Sequence, residues 1–111
     1  MEFLNKVELK GIVGNVHTQT FGLHPSTRFS VVTEYASRDK DGKTTIEVTW
    51  FNCVTIPTEN PLHGEIKKGD KIHLVGRLKS RNYTDQHNEP HYVFEVVVSS
   101  FEILSPDTSK E

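Results

Sequence analysis

Alternating residues between Lys71 and Tyr83 constrain the fold of this chain more than any other feature. One set of alternate positions is apolar or small: Ile72, Leu74, Gly76, Leu78, Ser80 and Asn82. The other set is largely basic and ends in an aromatic ring: Lys71, His73, Val75, Arg77, Lys79, Arg81 and Tyr83. Successive side chains of a β-strand point to opposite faces of a sheet. The pattern therefore predicts a strand with one face in a core and a cationic opposite face.

The charge of the chain is unevenly distributed. Six basic residues and one acid lie between Lys67 and Arg81, whereas the rest of the chain carries seven basic residues and 14 acids. A plain solvated face is one explanation, because Lys and Arg are ordinary surface residues. The other is an anion-binding face, since basic residues with aromatic rings suit the phosphates and flat bases of single-stranded nucleic acid. The charge pattern leaves both explanations open.

Turn signals divide the chain into five predicted strands. Their approximate ranges are 6–16, 28–36, 44–56, 71–83 and 91–104, with a loop over 17–27 and an Asp-Gly turn at 39–42. Gly11 and Gly14 predict a bulge or sharp bend in the first strand. Five strands favour an all-β fold, a five-stranded Greek-key OB-fold barrel, over an immunoglobulin-like sandwich, which needs about seven. We expect one domain over 1–104 and a short polar end at 105–111.

Several classes of function find little support in the sequence. Cys53 is the only cysteine, so no internal disulfide and no cysteine-based metal site is expected. His63 and Glu65 have the His-x-Glu spacing of zinc deaminases, but the paired cysteines of that site are missing. No apolar stretch resembles a signal peptide or a membrane span. We therefore expect a cytoplasmic protein that is not an enzyme, with no cofactor, no metal, no membrane and no small-molecule substrate.

The third predicted strand is apolar on both faces. Trp50 and Phe51 are adjacent and must point in opposite directions, so one can enter the core while the other serves a surface. A small barrel has one core, and a second apolar face suggests that a ligand or a subunit covers it. The residues alone favour Trp50 in the core, but an exposed Trp50 could stack on a base.

Motifs along most of the chain resemble the bacterial single-stranded DNA-binding protein family. The resemblance covers roughly Asn5 to Leu104, and the last hairpin is its most specific part. The motifs are Asn5-Lys6-Val7 with Gly11 and Gly14, Arg38-Asp39-Lys40 with Gly42, Thr49-Trp50, Ile66-Lys67-Lys68-Gly69-Asp70-Lys71, Val75-Gly76-Arg77-Leu78, Arg81-Asn82-Tyr83-Thr84-Asp85-Gln86, Tyr92 and Glu95-Val96-Val97-Val98.

The resemblance implies an OB-fold that binds single-stranded DNA with little sequence preference in replication, recombination or repair. It also implies a nucleoid-associated homotetramer, with a dimer as the alternative. Trp50 matches a base-stacking Trp, Tyr83 a second stacking Trp replaced by a smaller ring, and Phe51 a position near the subunit interface. The basic positions implied near phosphates are Lys6, Lys68, Lys79 and Arg81. Lys67 and Arg77 join them from the basic stretch, which completes the predicted DNA-binding set.

The sequence departs from the family pattern in ways that predict weaker binding. A third stacking Trp would fall near 35–37, where Tyr35 is the only aromatic residue. A stacking Phe is replaced by Ile56, and a basic residue by Asn52. The helix expected after the third strand is reduced to a proline-bearing loop. The sequence lacks the long acidic tail of the family, as in a tail-less or truncated member, so recruitment of proteins through that tail is not expected.

Two alternative functions remain. A tail-less, single-OB-fold chain also resembles the primosomal replication proteins, which are dimers that bridge to a helicase loader. The chain could instead be an OB-fold adaptor whose apolar face binds protein. In that case an interface would bury Trp50.

Overall fold

The five predicted strands are present and close into a barrel. The computed structural model describes residues 1–21, 24–55 and 66–104, with the side chains of 19–21 and 24–25 left out. The strands are β1 (Val7–Phe21), β2 (His24–Arg38), β3 (Thr44–Thr55), β4 (Lys71–Thr84) and β5 (Pro90–Ile103). Their order around the barrel is β1-β2-β3-β5-β4, and all neighbours are antiparallel except β3 and β5, which are parallel. The prediction of an all-β, five-stranded OB-fold barrel is confirmed.

The predicted loop over 17–27 is wrong. β1 continues to Phe21 and β2 begins at His24, and the two strands pair throughout this region. The segment is polar and lacks apolar alternation, so it has the composition of a loop. The partner strand nevertheless satisfies its backbone, and its threonines are compatible with a strand. The hydroxyl oxygens of Thr18 and Thr27, for example, lie 3.4 Å apart across the pair.

The core lies inside the barrel and draws on every strand. Its buried members are Leu9, Val13, Phe29, Val31, Cys53, Ile66, Ile72, Leu74, Val96 and Val98. The inner face of β4 is apolar and buried as far as Gly76, as predicted. Beyond that point the prediction fails: Leu78 is 41% exposed, and Ser80 and Asn82 are also exposed. From Leu78 onward β4 pairs with β5 in a hairpin whose inner positions are no longer covered by the barrel.

A bulge in β1 organises one end of the barrel. The pairing of β1 with β2 shifts register between Val13 and Val16, which confirms the bulge predicted near Gly14. The backbone N–H of Val13 donates to the carbonyl of Asp70, and the N–H of Gly69 donates to the carbonyl of Val13, each over 2.8 Å. The turn before β4 is therefore fixed to the bulge. Gly69 occupies the left-handed region, with φ 94°.

The two long hairpins end in turns of similar construction. In the β2–β3 turn, Asp39 Oδ1 accepts the N–H groups of Asp41 and Lys43 at 2.9 Å. In the β4–β5 turn, Asp85 Oδ1 accepts the equivalent groups of His87 and Glu89 at 2.8 and 2.9 Å. Across residues 1–21, 24–55 and 66–104, no helix is long and apolar enough to span a membrane.

Candidate nucleic-acid interface

The strand register places the basic face of β4 beside the outer face of β3. Residues directly opposite each other in a sheet share a face. The outer pairs of β4 with β5 are Arg77 with Val97, Lys79 with Glu95, Arg81 with Val93, and Tyr83 with His91. Val97 pairs in turn with Val54 of β3, and Val54 shares its face with Asn52 and Trp50. Predicted residues that lie far apart in the sequence therefore meet on one outer surface.

Trp50 is exposed on this surface rather than packed in the core. Its relative exposure is 58%, whereas the adjacent Phe51 is half-buried against the core. The core interpretation of Trp50 is therefore wrong. Cys53 is buried in the core, and side chains alternate between the two faces of a strand. Phe51 therefore points inward and Trp50 points outward. The predicted role of Phe51 at a subunit interface stays a prediction.

A cleft of about 390 Å³ crosses the outer surface and is lined by residues of all five strands. Its polar lining includes Asn15, Arg28, Ser30, Asn52, Arg81 and Glu95. Nη2 of Arg28 lies 3.6 Å from Oε1 of Glu95, and Nε of Arg81 lies 3.9 Å from the same oxygen. The Glu95 side chain is 7% exposed. The cleft thus holds a buried carboxylate between two guanidinium groups.

Tyr83 lies in a small aromatic cluster near the end of the β4–β5 hairpin. The rings of Tyr83 and His91 are stacked, with centroids 5.0 Å apart and an interplanar angle of 16°. Nε2 of His91 lies 2.8 Å from Oδ2 of Asp85. The pKa of Asp85 is lowered, first by the hydrogen bond from the N–H of Glu89 and next by the one to His91. One face of the Tyr83 ring is therefore already covered by an imidazole that Asp85 holds.

The predicted lysines are all exposed, and the strand register places Lys79 on the same outer surface. Lys79 stands opposite Glu95 in the β4–β5 ladder. Lys67 and Lys68 belong to the turn that is fixed to the β1 bulge. Lys6 comes just before β1, next to Asn5, whose side chain continues the pairing with β4. Nδ2 of Asn5 donates to the carbonyl of Leu78 at 2.7 Å, and Oδ1 of Asn5 accepts the N–H of Leu78 at 2.9 Å. Lys6 therefore lies toward Arg77, at the edge of the surface.

Comparison with known proteins agrees with this geometry. The profile of the single-strand binding protein family matches residues 4–104 of the chain. The chain belongs to this family. It is 31% identical over 109 residues to single-stranded DNA-binding protein 1 of Xylella fastidiosa, in an alignment that covers 94% of this chain and 79% of the relative. Single-stranded DNA-binding protein 1 of Streptococcus pyogenes is 37% identical over 79 residues, covering 69% of this chain and 58% of the relative.

Solved structures of family members have the same fold. A Plasmodium falciparum SSB, solved in complex with ssDNA, superposes with a TM-score of 0.85 at 22% identity, covering 95% of this chain and 98% of the other. A deletion mutant of the single-stranded DNA binding protein from Thermus aquaticus gives a TM-score of 0.80 at 19% identity, covering 94% of this chain and 52% of the other. At these identities the likeness concerns the fold.

Sequence reasoning missed two residues of this family member's outer surface. Arg28 and Glu95 line the cleft. Arg28 lies far in sequence from the basic stretch, and its place depends on the pairing of Arg28 with Val54. Glu95 is an acid on a face whose sequence signal is basic. The alternation of β5 beside β4 was the one signal that could have placed Glu95 on the basic face.

No metal centre is found in the part of this family member that the structure describes. Within it, no group of three or more His, Cys, Asp or Glu residues could hold a metal ion. Burial raises the pKa of the Cys53 thiol to about 12, with a further contribution from the Glu95 carboxylate. His63, Glu65 and Ile56, which the sequence analysis singled out, lie outside the described residues.

Proposed function

We propose that this chain binds single-stranded DNA with little sequence preference, in replication, recombination or repair. The observation that carries the proposal is the exposed indole of Trp50 on the same barrel face as Arg77, Lys79 and Arg81. The names of the two bacterial relatives, and the DNA complex of the Plasmodium protein, support the same ligand. We propose residues 1–104 as the binding domain of a cytoplasmic, non-enzymatic homo-oligomer.

In the proposed complex, the DNA strand crosses the outer surface of β3, β5 and β4. Lys67, Lys68, Arg77, Lys79 and Arg81 neutralise phosphates, and Lys6 extends the positive charge along the edge of β4. Bases stack on Trp50 and on the ring cluster of Tyr83. Each stacked base contributes about 1–3 kcal/mol, and stacking accepts every base because every base has a π-face.

The arrangement also supports modest affinity. The His91 ring already covers one face of Tyr83, and the Arg81 guanidinium also lies over the Tyr83 ring, 5.8 Å from its centroid, so a base would continue the stack on His91. The cleft beside Trp50 holds the carboxylate of Glu95, which offsets part of the positive charge of Arg28 and Arg81. Electrostatic attraction in this part of the surface is therefore less than the number of arginines suggests.

Titration of Trp50 fluorescence with oligo-dT at low and high salt tests the proposal. Trp50 is the only tryptophan, so the signal reports this surface alone. We expect DNA to quench the fluorescence. The logarithm of the apparent affinity should fall by about 0.7 per neutralised phosphate for each tenfold increase in salt concentration. Absence of quenching together with absence of binding would exclude the proposed function.

A protein-binding OB-fold adaptor is the second candidate. The β2–β3 hairpin exposes Ile46 at 59% and Val48 at 54% on the face that carries Trp50, and Tyr35 at 67% on the opposite face. Exposed apolar patches often mark protein interaction sites. The same titration separates the candidates, because an adaptor of this kind would leave Trp50 fluorescence unchanged when oligo-dT is added.

A further inference from the structure

We propose that Arg28 and Arg81 together bind a single DNA phosphate, and that Glu95 is the positioning residue that holds the two guanidinium groups in the cleft. This inference rests on the proposed function and refines it. Arg28 lies outside the basic stretch of the sequence, and neither Arg28 nor Glu95 was a predicted binding residue.

The convergence of the two arginines on one atom supports a shared phosphate. Arg28 approaches Oε1 of Glu95 from β2, and Arg81 approaches the same oxygen from β4. Their nitrogens lie 3.6 and 3.9 Å from that oxygen. Two groups this close to one acceptor are also close enough to contact the oxygens of one phosphate. A guanidinium carries five N–H donors in a planar fork, so one arginine can contact more than one acceptor at a time.

The charge of the cluster favours an anion. The two guanidinium groups and one carboxylate sum to one positive charge, since arginine is always protonated in proteins. The Arg28 and Arg81 side chains are 37% and 46% exposed, so an incoming ligand can reach them, whereas Glu95 at 7% lies beneath. The anion would therefore meet the two cations first and the carboxylate last.

The burial of Glu95 explains how the cluster keeps its shape before DNA arrives. A carboxylate that is removed from water is stabilised by close cationic partners, and losing one of them is costly. Glu95 therefore helps to restrain two long side chains, and the Arg81 guanidinium also lies over the Tyr83 ring, 5.8 Å from its centroid. Restraint of this kind lowers the entropic cost of binding. The cleft volume of about 390 Å³ lies within the range of ordinary ligand sites.

The salt dependence of oligo-dT binding distinguishes one shared phosphate from two separate ones. The variants are Arg28→Gln, Arg81→Gln and the double variant, with affinity measured by the anisotropy of a labelled oligonucleotide across a salt series. If the arginines share a phosphate, the double variant lowers the slope of log affinity against log salt by about 0.7 in total. If each binds its own phosphate, the slope falls by about 1.4. That second result would overturn the shared site.

Controls separate this inference from the proposed function. Lys10→Gln removes an exposed charge from β1 outside the cleft and should leave the slope unchanged. Loss of both arginines could prevent folding because it leaves buried Glu95 without these cationic partners, so the double variant is also compared with its parent in a Glu95→Gln background. Binding by the wild-type chain with no change of slope from the double variant in either background would overturn the subsite alone. Failure of the wild-type chain to bind would overturn both proposals.

Discussion

The indole ring of Trp50 lies over Gly14, so closely that a β-carbon on Gly14 would stand 2.6 Å from Cζ3 of Trp50. Gly14 belongs to the β1 bulge, and its neighbour Asn15 donates its backbone N–H to Oγ of Ser30 at 2.9 Å. Ser30 is also 2.6 Å from the position of that β-carbon. The indole therefore packs against the bulge and Ser30, in space that is open because Gly14 has no side chain. The orientation of the proposed stacking residue thus depends on a glycine in another strand.

Gly14→Ala should displace the indole and weaken oligo-dT binding while the barrel remains folded. Contacts under 3 Å are not tolerated, so the indole and the Ser30 hydroxyl must both move, and these side chains can rotate more easily than the paired backbone can shift. We expect a red-shifted emission maximum of Trp50 and a several-fold loss of affinity, with the far-UV circular dichroism unchanged.

A double-mutant cycle checks that the effect acts through Trp50. In a Trp50→Phe background the ring is smaller, so Gly14→Ala should cost less affinity than it does in the wild-type chain. Binding here is followed by anisotropy of a labelled oligonucleotide, since the tryptophan signal is gone. Equal losses in the two backgrounds would show that Gly14 acts on the barrel rather than on the ring.

Trp50→Ala should reduce affinity for oligo-dT by about 1–3 kcal/mol, or about 5- to 150-fold, because it removes one stacking platform. The salt slope should stay the same, since no charge is lost. Phe94→Ala is the matched control: Phe94 is also 58% exposed, and its partner Ser80 places it on the other face of the β4–β5 hairpin. Equal losses from the two substitutions would argue against a binding face that contains Trp50.

The sequence predicts the fold well because the barrel strands follow simple alternation. The residues from Lys71 to Gly76 alternate between core and surface as expected, and the glycine-marked bulge in β1 is present. The resemblance to the family identifies the outer surface, since Trp50, Arg81 and Tyr83 share one face of the sheet. These features depend on local periodicity or on short motifs.

The features that the sequence does not reveal depend on pairing between distant strands. The environment of Arg28 follows from the register of β2 with β3, which no local pattern specifies. Trp50 is exposed because it lies on the opposite face of β3 from the buried Cys53. An apolar residue in an apolar strand gives no indication of which face it occupies. The polar continuation of β1 to Phe21 is stabilised by its partner strand rather than by its own composition.

Cys53 should be almost unreactive toward thiol reagents in the folded protein. Its pKa is raised to about 12, so roughly one thiol in 10,000 is ionised at pH 8, and the thiolate is the reactive form. With a chromogenic disulfide at pH 8, we expect labelling of the native protein to be limited by unfolding or local opening. Labelling in denaturant should be fast and should reach one equivalent. Fast labelling without denaturant would mean that β3 opens readily at its pairing with β5.

The stability of the β4–β5 hairpin should fall in acid through Asp85. The folded-state pKa of Asp85 lies below its ordinary value of 3.8, so its contribution is fully present above that pH and is lost as pH falls through the lower folded value. Asp85→Asn should therefore lower the melting temperature at pH 7, and the gap to wild type should close below about pH 4. His91→Gln should keep most of this dependence, because the N–H of Glu89 is the largest cause of the lowered pKa and the His91 contact is second. A gap that persists unchanged to pH 2 would show that Asp85 acts through the shape of the turn and not through its charge.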